Sequence, residues 1–417
     1  MNKKIVVTGM GAVSPIGNTV EELCAGLRAG KSGVGAISAF DTSAFQVKIA
    51  AEVKNFDSSL WIDKKEARKM ARFTQFAVAA AAQALQQAGL CEAGTSGPLP
   101  CDSERTAVVI GNGIGGFEIV SESFKKLFDA GPDRMLPLTV PLMIANEAAG
   151  NISMIYRTKG PAYTQVTACA SGVDALGQAF DLLQAGRADL VIAGGTEACI
   201  VPFAIGGFSM LKTLSTRNSE PEKASRPFDK DRDGFVLGEG AGVLILETEA
   251  HAKARGAKVL AEFAAYGATA DAYHITSPDP SGEGMARAIT LALKDAGLAP
   301  RDVDYYNAHG TSTTINDITE TKALKLALGA HARDVKVSST KSMTGHCVAG
   351  AGALEAIACI LAIQNGFYPP TINLDAPDPE CDLDYVPKTA QNGVINTAMS
   401  GNLGFGGHNG VVVFKKY

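Results

Sequence analysis

Short apolar runs rich in β-branched residues alternate along the chain with longer stretches in which apolar positions recur every three or four residues. Ile5-Val6-Val7 opens a buried strand that is expected to end in the glycine turn Gly9-Met10-Gly11. The spacing predicts helices over 20–29, 64–88, 118–130 and 140–156, and a strand over 107–110. Tyr163-Thr164-Gln165-Val166-Thr167 alternates polar and apolar residues, as a strand does. Val173, Leu176, Phe180 and Leu183 then recur at helical spacing, with Gly186 as the stop, and strands follow over 190–193 and 242–246. Beyond residue 250 the pattern restarts. Strands are predicted over 259–266, 303–307 and 335–338, with helices over 284–296, 317–328 and 350–364, and strands near 393–400 and 410–414 close the chain. The alternation argues for an α/β fold with mostly parallel sheets. Each half carries its own strands and helices, so the expected organisation is a duplicated one, residues 1–250 and 251–417, with no flexible linker between them.

The chain has 417 residues, 46% of them hydrophobic and 19% charged, which is a globular composition rather than a disordered one. A net charge of −5 argues against a general nucleic-acid binder. Eight cysteines are scattered with no C-x-x-C pair, and Lys3-Lys4 leads straight into the first strand with no transit peptide visible. Reduced thiols and a cytoplasmic location are expected. The longest apolar runs are expected to be too short, or too broken by glycine, to span a membrane.

Candidate chemistry gathers at strand ends. Cys169, in Thr167-Ala168-Cys169-Ala170-Ser171-Gly172, falls at a strand-to-helix turn among small neighbours. Helix N–H groups and the helix dipole are expected there to favour thiolate and lower the cysteine's pKa. The bland alternative is a small buried hydrophobe. Three loops of the second half hold three of the six histidines: Asn307-Ala308-His309-Gly310-Thr311-Ser312-Thr313, Lys341-Ser342-Met343-Thr344-Gly345-His346, and Gly404-Phe405-Gly406-Gly407-His408. In open α/β sheets ligands meet the carboxyl ends of strands, so these loops are expected to converge with Cys169. Gly111-Asn112-Gly113-Ile114-Gly115-Gly116 matches the dinucleotide fingerprint between a strand and a helix, without the acid-tipped second strand, and keeps a nucleotide-binding alternative open. Asp229 to Gly234 imitates the start of a calcium loop, but residue 240 is glycine where the closing glutamate belongs, so a charged structural loop is expected. Lys65, Arg68, Lys69 and Arg72 share one helical face, either an ordinary solvated surface or a dock for an acidic partner.

The three loops, Thr167-Ala168-Cys169, Arg226-Pro227-Phe228-Asp229 and Asp233-Gly234-Phe235-Val236 stand in the order found in the β-ketoacyl-[acyl-carrier-protein] synthases of the I/II type, and the chain resembles that family from its first strand to its last, most closely type II. The resemblance implies the thiolase-like fold, five layers αβαβα from two similar halves, in a homodimer. It implies that Cys169 takes an acyl chain from acyl carrier protein, with the N–H groups of Cys169 and Phe405 as the oxyanion hole. His309 and His346 would serve decarboxylation of malonyl carrier protein and condensation, and their loss is expected to cost these steps more than acyl loading. Lys341 and Glu320 would hold the site's charge network, with Glu355 as the buried structural acid. Thr311 and Thr313 would bind the pantetheine arm, Ile114 would border the acyl pocket and Phe405 would also gate it. Lys65, Arg68 and Lys69, with Lys212, would dock the carrier protein. No cofactor and no required metal are implied, although a structural cation near Asn307 and Glu355 is. His408 stands where many relatives have threonine, Gly401-Asn402 where Asn-Ser is usual, and Thr314 where proline is common. Thiolases need a second cysteine near the C-terminal glycine loop, and residues 382–417 hold none. A noncatalytic carrier-protein-binding partner remains the alternative and would leave Cys169 unreactive.

Overall fold

A computed structural model describes residues 3–92 and 94–417. Ten strands form one mixed sheet. They are β1 (Ile5–Val13), β2 (Thr106–Gly111), β3 (Ala162–Gln165), β4 (Leu190–Glu197) and β5 (Gly240–Thr248), then β6 (Ala261–Ala270), β7 (Tyr305–Asn307), β8 (Lys336–Ser338), β9 (Thr397–Gly404) and β10 (His408–Lys415). Across the first half the order is β3-β2-β4-β5-β1, and across the second it is β8-β7-β9-β10-β6, the same order element for element. The halves meet where β1 pairs antiparallel with β6 through Ile5, Val6 and Val7.

Only β2 with β3 and β4, and β7 with β8 and β9, pair in parallel; the remaining neighbours are antiparallel. The expectation of mostly parallel sheets is therefore corrected. In each half the last strand returns beside its predecessor and reverses the ladder, a direction that hydrophobic spacing does not encode.

The seven helices used below are α1 (Arg72–Gln87), α2 (Phe117–Ala130), α3 (Glu147–Tyr156), α4 (Ser171–Gln184), α5 (Glu283–Ala296), α6 (Thr314–Leu328) and α7 (Ala351–Asn365). α4 and α7 pack on each other and touch strands of both halves, so they form the middle layer; α1 and α3 cover the first half and α5 and α6 the second. The result is the five-layer arrangement αβαβα. α7 is buried along nearly its whole length, and with the preceding turn it forms a stretch, Val348–Asn365, apolar and long enough to cross a membrane but 89% buried. By length and composition the stretch passes where runs too short or too broken by glycine were expected, and the middle layer explains its apolarity.

Gly9 and Gly11 are not a turn, since β1 runs on to Val13. A Cβ at Gly9 would lie 2.1 Å from the Ala84 carbonyl oxygen and one at Gly11 1.9 Å from that of Ala80. The glycines let the alanine-rich face of α1 lie directly on the strand. The helix expected over 64–88 breaks between Lys64–Ala67, capped by Asp63, and α1; the one over 140–156 breaks at Ile144, whose backbone is extended.

Candidate active site

β3 delivers the chain to the turn Ala168–Ala170, which runs directly into α4. Ala168 takes φ +50°, the left-handed region that costs a non-glycine residue about 1 kcal/mol or more. Ser171 stabilises this turn, its hydroxyl donating to the Ala168 carbonyl at 2.6 Å and accepting from the Thr167 N–H at 2.9 Å. The small residues seat the turn against its neighbours: a Cβ on Gly172 would meet the Ala349 carbonyl oxygen at 2.4 Å. Cys169 is left at the floor of a cavity of about 520 Å³.

Burial pushes the Cys169 thiol up to about 11, against the Lys341 ammonium and the N–H groups of Phe405 and Cys169, which pull it down. The expected lowering of its pKa is therefore corrected. The helix end does face the sulfur, but exclusion of water outweighs it.

The second half supplies the histidines. β7 and β8 lie parallel, so their carboxyl ends carry the His309 loop and the Lys341–Thr344 helical turn to the same edge. Glu320, on α6, accepts from the backbone N–H groups of His309 at 2.7 Å and Gly310 at 2.8 Å, and burial pushes it up to about 7 against those bonds. It holds the loop's backbone and also feels the Lys341 charge. Lys341 pairs with Glu355 on α7, and both side chains are buried. His346 Nε2 lies 3.0 Å from Cys169 Sγ. The His309 and His346 rings are perpendicular, 5.2 Å apart, and the ligating atoms of all three residues fall within 4.8 Å of one another. Burial first, and the Lys341 charge second, hold both imidazoles well below the usual histidine range, so both are neutral.

Thr311, Thr313, Ile114, Lys212 and Phe405 all line the cavity, and the two threonine hydroxyls are bonded at 2.9 Å. His408 lines it too. Lys65, Arg68 and Lys69 lie outside it and are exposed, with Lys69 paired to Glu66. Arg72 stands apart from them at the start of α1, partly exposed, with its guanidinium paired to the buried Glu239 at 2.7 Å.

The donor set for a cation near Asn307 and Glu355 fits poorly. Lys341 Nζ and Asn402 Nδ2 take the two Glu355 oxygens, and position 401 is glycine. What remains, Asn307 Oδ1, Ser400 Oγ and Asn402 Oδ1, is buried, without a partner and neutral, a weak set for a hard cation. The nucleotide reading of 111–116 fails on geometry. Glu197, buried, accepts from the Gly113 N–H at 3.0 Å where a phosphate would sit, and a Cβ on Gly115 or Gly116 would strike the carbonyl oxygens of Met143 and Leu142. The glycines admit protein backbone. Asp229 accepts from Arg226 and from the backbone of Asp231, Asp375 and Ala376, as a structural loop does.

Two contributors had no role assigned from sequence. Phe235 stands edge-on to His346 at 5.3 Å, within a run already singled out as a motif. Asn402 reaches both Glu355 and His309, and its only signal was a departure from the common pattern.

Residues 2–252 match the family "Beta-ketoacyl synthase, N-terminal domain" and residues 260–375 "Beta-ketoacyl synthase, C-terminal domain". The "3-oxoacyl-[acyl-carrier-protein] synthase 2" of Synechocystis sp. is 51% identical over 415 residues, covering 100% of this chain and 98% of that protein. Its namesake from Staphylococcus aureus is 50% identical over 416 residues, covering 100% and 99%. Among solved structures, a β-ketoacyl synthase from Burkholderia phymatum superposes with a TM-score of 0.91 at 35% identity. A type II PKS acyl-carrier protein in complex with its ketosynthase bound to the hexaketide gives 0.91 at 36%; each structure covers 100% of both chains.

Proposed function

The chain belongs to the β-ketoacyl synthase family and is a 3-oxoacyl-[acyl-carrier-protein] synthase, a decarboxylating condensing acyltransferase; from that premise we propose how its own residues carry the reaction. The observation that carries the reading is the meeting of Cys169 Sγ with two neutral imidazoles at the floor of one cavity.

In loading, Cys169 sulfur attacks the thioester carbonyl of an acyl carrier protein. Its proton passes to His346 Nε2 and on to the departing carrier thiol, so charge balances across the step. The N–H groups of Cys169 and Phe405 hold the tetrahedral oxyanion. In the second half-reaction the C–C bond to the malonyl carboxylate breaks, carbon dioxide leaves, and the electron pair forms an enolate on the thioester oxygen. His309 and His346 donate N–H bonds to that oxygen, stabilising charge that exists only after the ground state. The enolate carbon then attacks the acyl–Cys169 carbonyl and expels the thiolate, leaving a chain longer by two carbons on carrier protein. Burial, with the Lys341 charge second, keeps both histidines neutral. Thr311 and Thr313 receive the pantetheine arm, Ile114 borders the acyl chain, and Phe405 closes over it.

Lys65, Arg68, Lys69 and Lys212 dock the acidic carrier protein. The protein works as a cytoplasmic homodimer. Tyr163 and Val166 at β3 and Met154 on the adjoining α3 are exposed apolar side chains. Among the described residues the outer edge of β3 has no partner strand, and pairing with a second copy satisfies both features. A monomeric mass by light scattering at micromolar concentration would overturn the dimer. Cys169→Ala should abolish acyl loading with the fold intact; intact-mass analysis finding the acyl group on another cysteine refutes the assignment.

A further inference from the structure

We propose that Asn402 is a positioning residue that locks His309 as the Nε2-protonated tautomer, so that the two histidines divide the work between them. The inference rests on the reading of His309 as a donor to the thioester oxygen.

Asn402 lies on β9, completely buried. Its Nδ2 stands 2.6 Å from Glu355 Oε2, 2.8 Å from the Gly401 carbonyl oxygen and 3.3 Å from His309 Nδ1. The carboxylate and the carbonyl oxygens are acceptors, and the amide nitrogen that faces them also faces the ring nitrogen. The reverse orientation would press Oδ1 against a carboxylate and a carbonyl, so the amide is fixed with its N–H bonds facing them. One hydrogen goes to the Glu355 carboxylate, and the other is shared between Gly401 and His309. With a donor facing it, Nδ1 must keep its lone pair. The neutral ring carries one proton, and it is therefore on Nε2.

His346 is built differently. Its Nδ1 is buried without a partner among the described residues, so its tautomer answers only to the Cys169 sulfur at Nε2, a thiol before loading and a thioester after it. Its Nε2 faces Cys169, accepting a proton in loading and donating to the enolate later. His309 only ever donates, and it alone is locked.

The surroundings make room for the amide. A Cβ at Gly352 would lie 2.4 Å from Asn402 Oδ1, and one at Gly401 would lie 1.9 Å from the Tyr306 hydroxyl, which fills that space. Gly401 leaves that space to Tyr306, and on a strand the next side chain, that of Asn402, points to the opposite face, where it meets the histidine.

The test separates loading, followed by intact mass, from malonyl carrier decarboxylation, followed by carbon dioxide release, in Asn402→Ser, His309→Ala and the double variant. Asn402→Ala stands in if the serine variant does not fold. For Asn402→Ser, decarboxylation kcat should fall roughly 10- to 100-fold, the range for losing a partner that orients a histidine. KM for malonyl carrier protein and the loading rate should stay unchanged. In the His309→Ala background the same substitution should add nothing, because Asn402 acts only through that ring. Equal losses in both backgrounds, or a loss shared by loading and melting temperature, would mean a merely structural asparagine and overturn the inference. His309→Ala retaining decarboxylation would instead overturn the role given to His309.

Discussion

Removing His346 should expose the true acidity of Cys169. The thiol lines the cavity, half-buried, and loss of solvent pushes it up to about 11. At pH 7.5 that leaves about one enzyme in 3,000 as thiolate, a cost of about 5 kcal/mol at 1.36 kcal/mol per pH unit. A nucleophile cannot meet that cost beforehand and still load quickly, but it need not do so if the proton leaves during attack. His346 Nε2, 3.0 Å away and neutral, is the acceptor. In His346→Ala only the pre-formed thiolate attacks. Single-turnover loading from an acyl thioester should then climb about tenfold per pH unit between pH 7 and 10, because the thiolate share rises in that proportion below the pKa. Wild-type loading should vary much less over the same range. Alkylation by iodoacetamide supplies a second readout without a carrier protein, and circular dichroism checks the fold at each pH. Loss of His346 should therefore cost loading as well as decarboxylation, whereas loss of His309 is expected to cost decarboxylation and condensation more than loading. A variant that loads at the wild-type rate with a flat pH profile would refute the argument, since the thiol would then ionise unaided.

Three further outcomes follow from the geometry. Glu247 is buried; burial pushes its carboxyl up, but bonds from Arg255, His251 and Thr8 bring it down to about 2. A depressed carboxylate stabilises the fold above its unfolded pKa, and that stability is lost as pH falls through the folded one. Glu247→Gln should therefore cost about 3 kcal/mol at pH 7 and progressively less below pH ~4, read from urea melts; an equal cost at pH 3 would refute it. Gly401→Ala should destabilise by about 1–3 kcal/mol through the clash with Tyr306, with partial recovery in the Gly401→Ala/Tyr306→Val pair, measured by thermal melting; no recovery would place the strain elsewhere. Reversing Lys65, Arg68 and Lys69 to glutamate should slow carrier-protein association and flatten its salt dependence while leaving alkylation of Cys169 unchanged, and an unaltered salt slope by stopped flow would reduce that face to ordinary solvated surface.

Element type was legible wherever one face of an element is buried, because period 2 or 3.6 then survives in the sequence. α4 and β4 lie where the spacing put them. The alternation of strands and helices and its restart past residue 250 were equally visible. The breaks at Arg68–Ala71 and Ile144 were not, since apolar spacing continues across them while the backbone turns. Gly9 and Gly11 misled because close packing by α1 and a tight turn both call for glycine.

The sequence by itself determined which chemistry the chain holds: a cysteine at a strand-to-helix turn, histidines and a lysine in strand-end loops, and the motif order of a condensing enzyme. Those are local facts, carried by neighbouring residues. The tertiary structure alone decided strand direction, the Lys341–Glu355 pairing, the pairing of Arg72 with Glu239, the high pKa of Cys169 and the reach of Asn402 to His309. Each of these depends on dielectric or distance between segments far apart in the chain. Asn402 and His309 are 93 residues apart, and only the parallel pairing of β7 with β9 brings them within 3.3 Å.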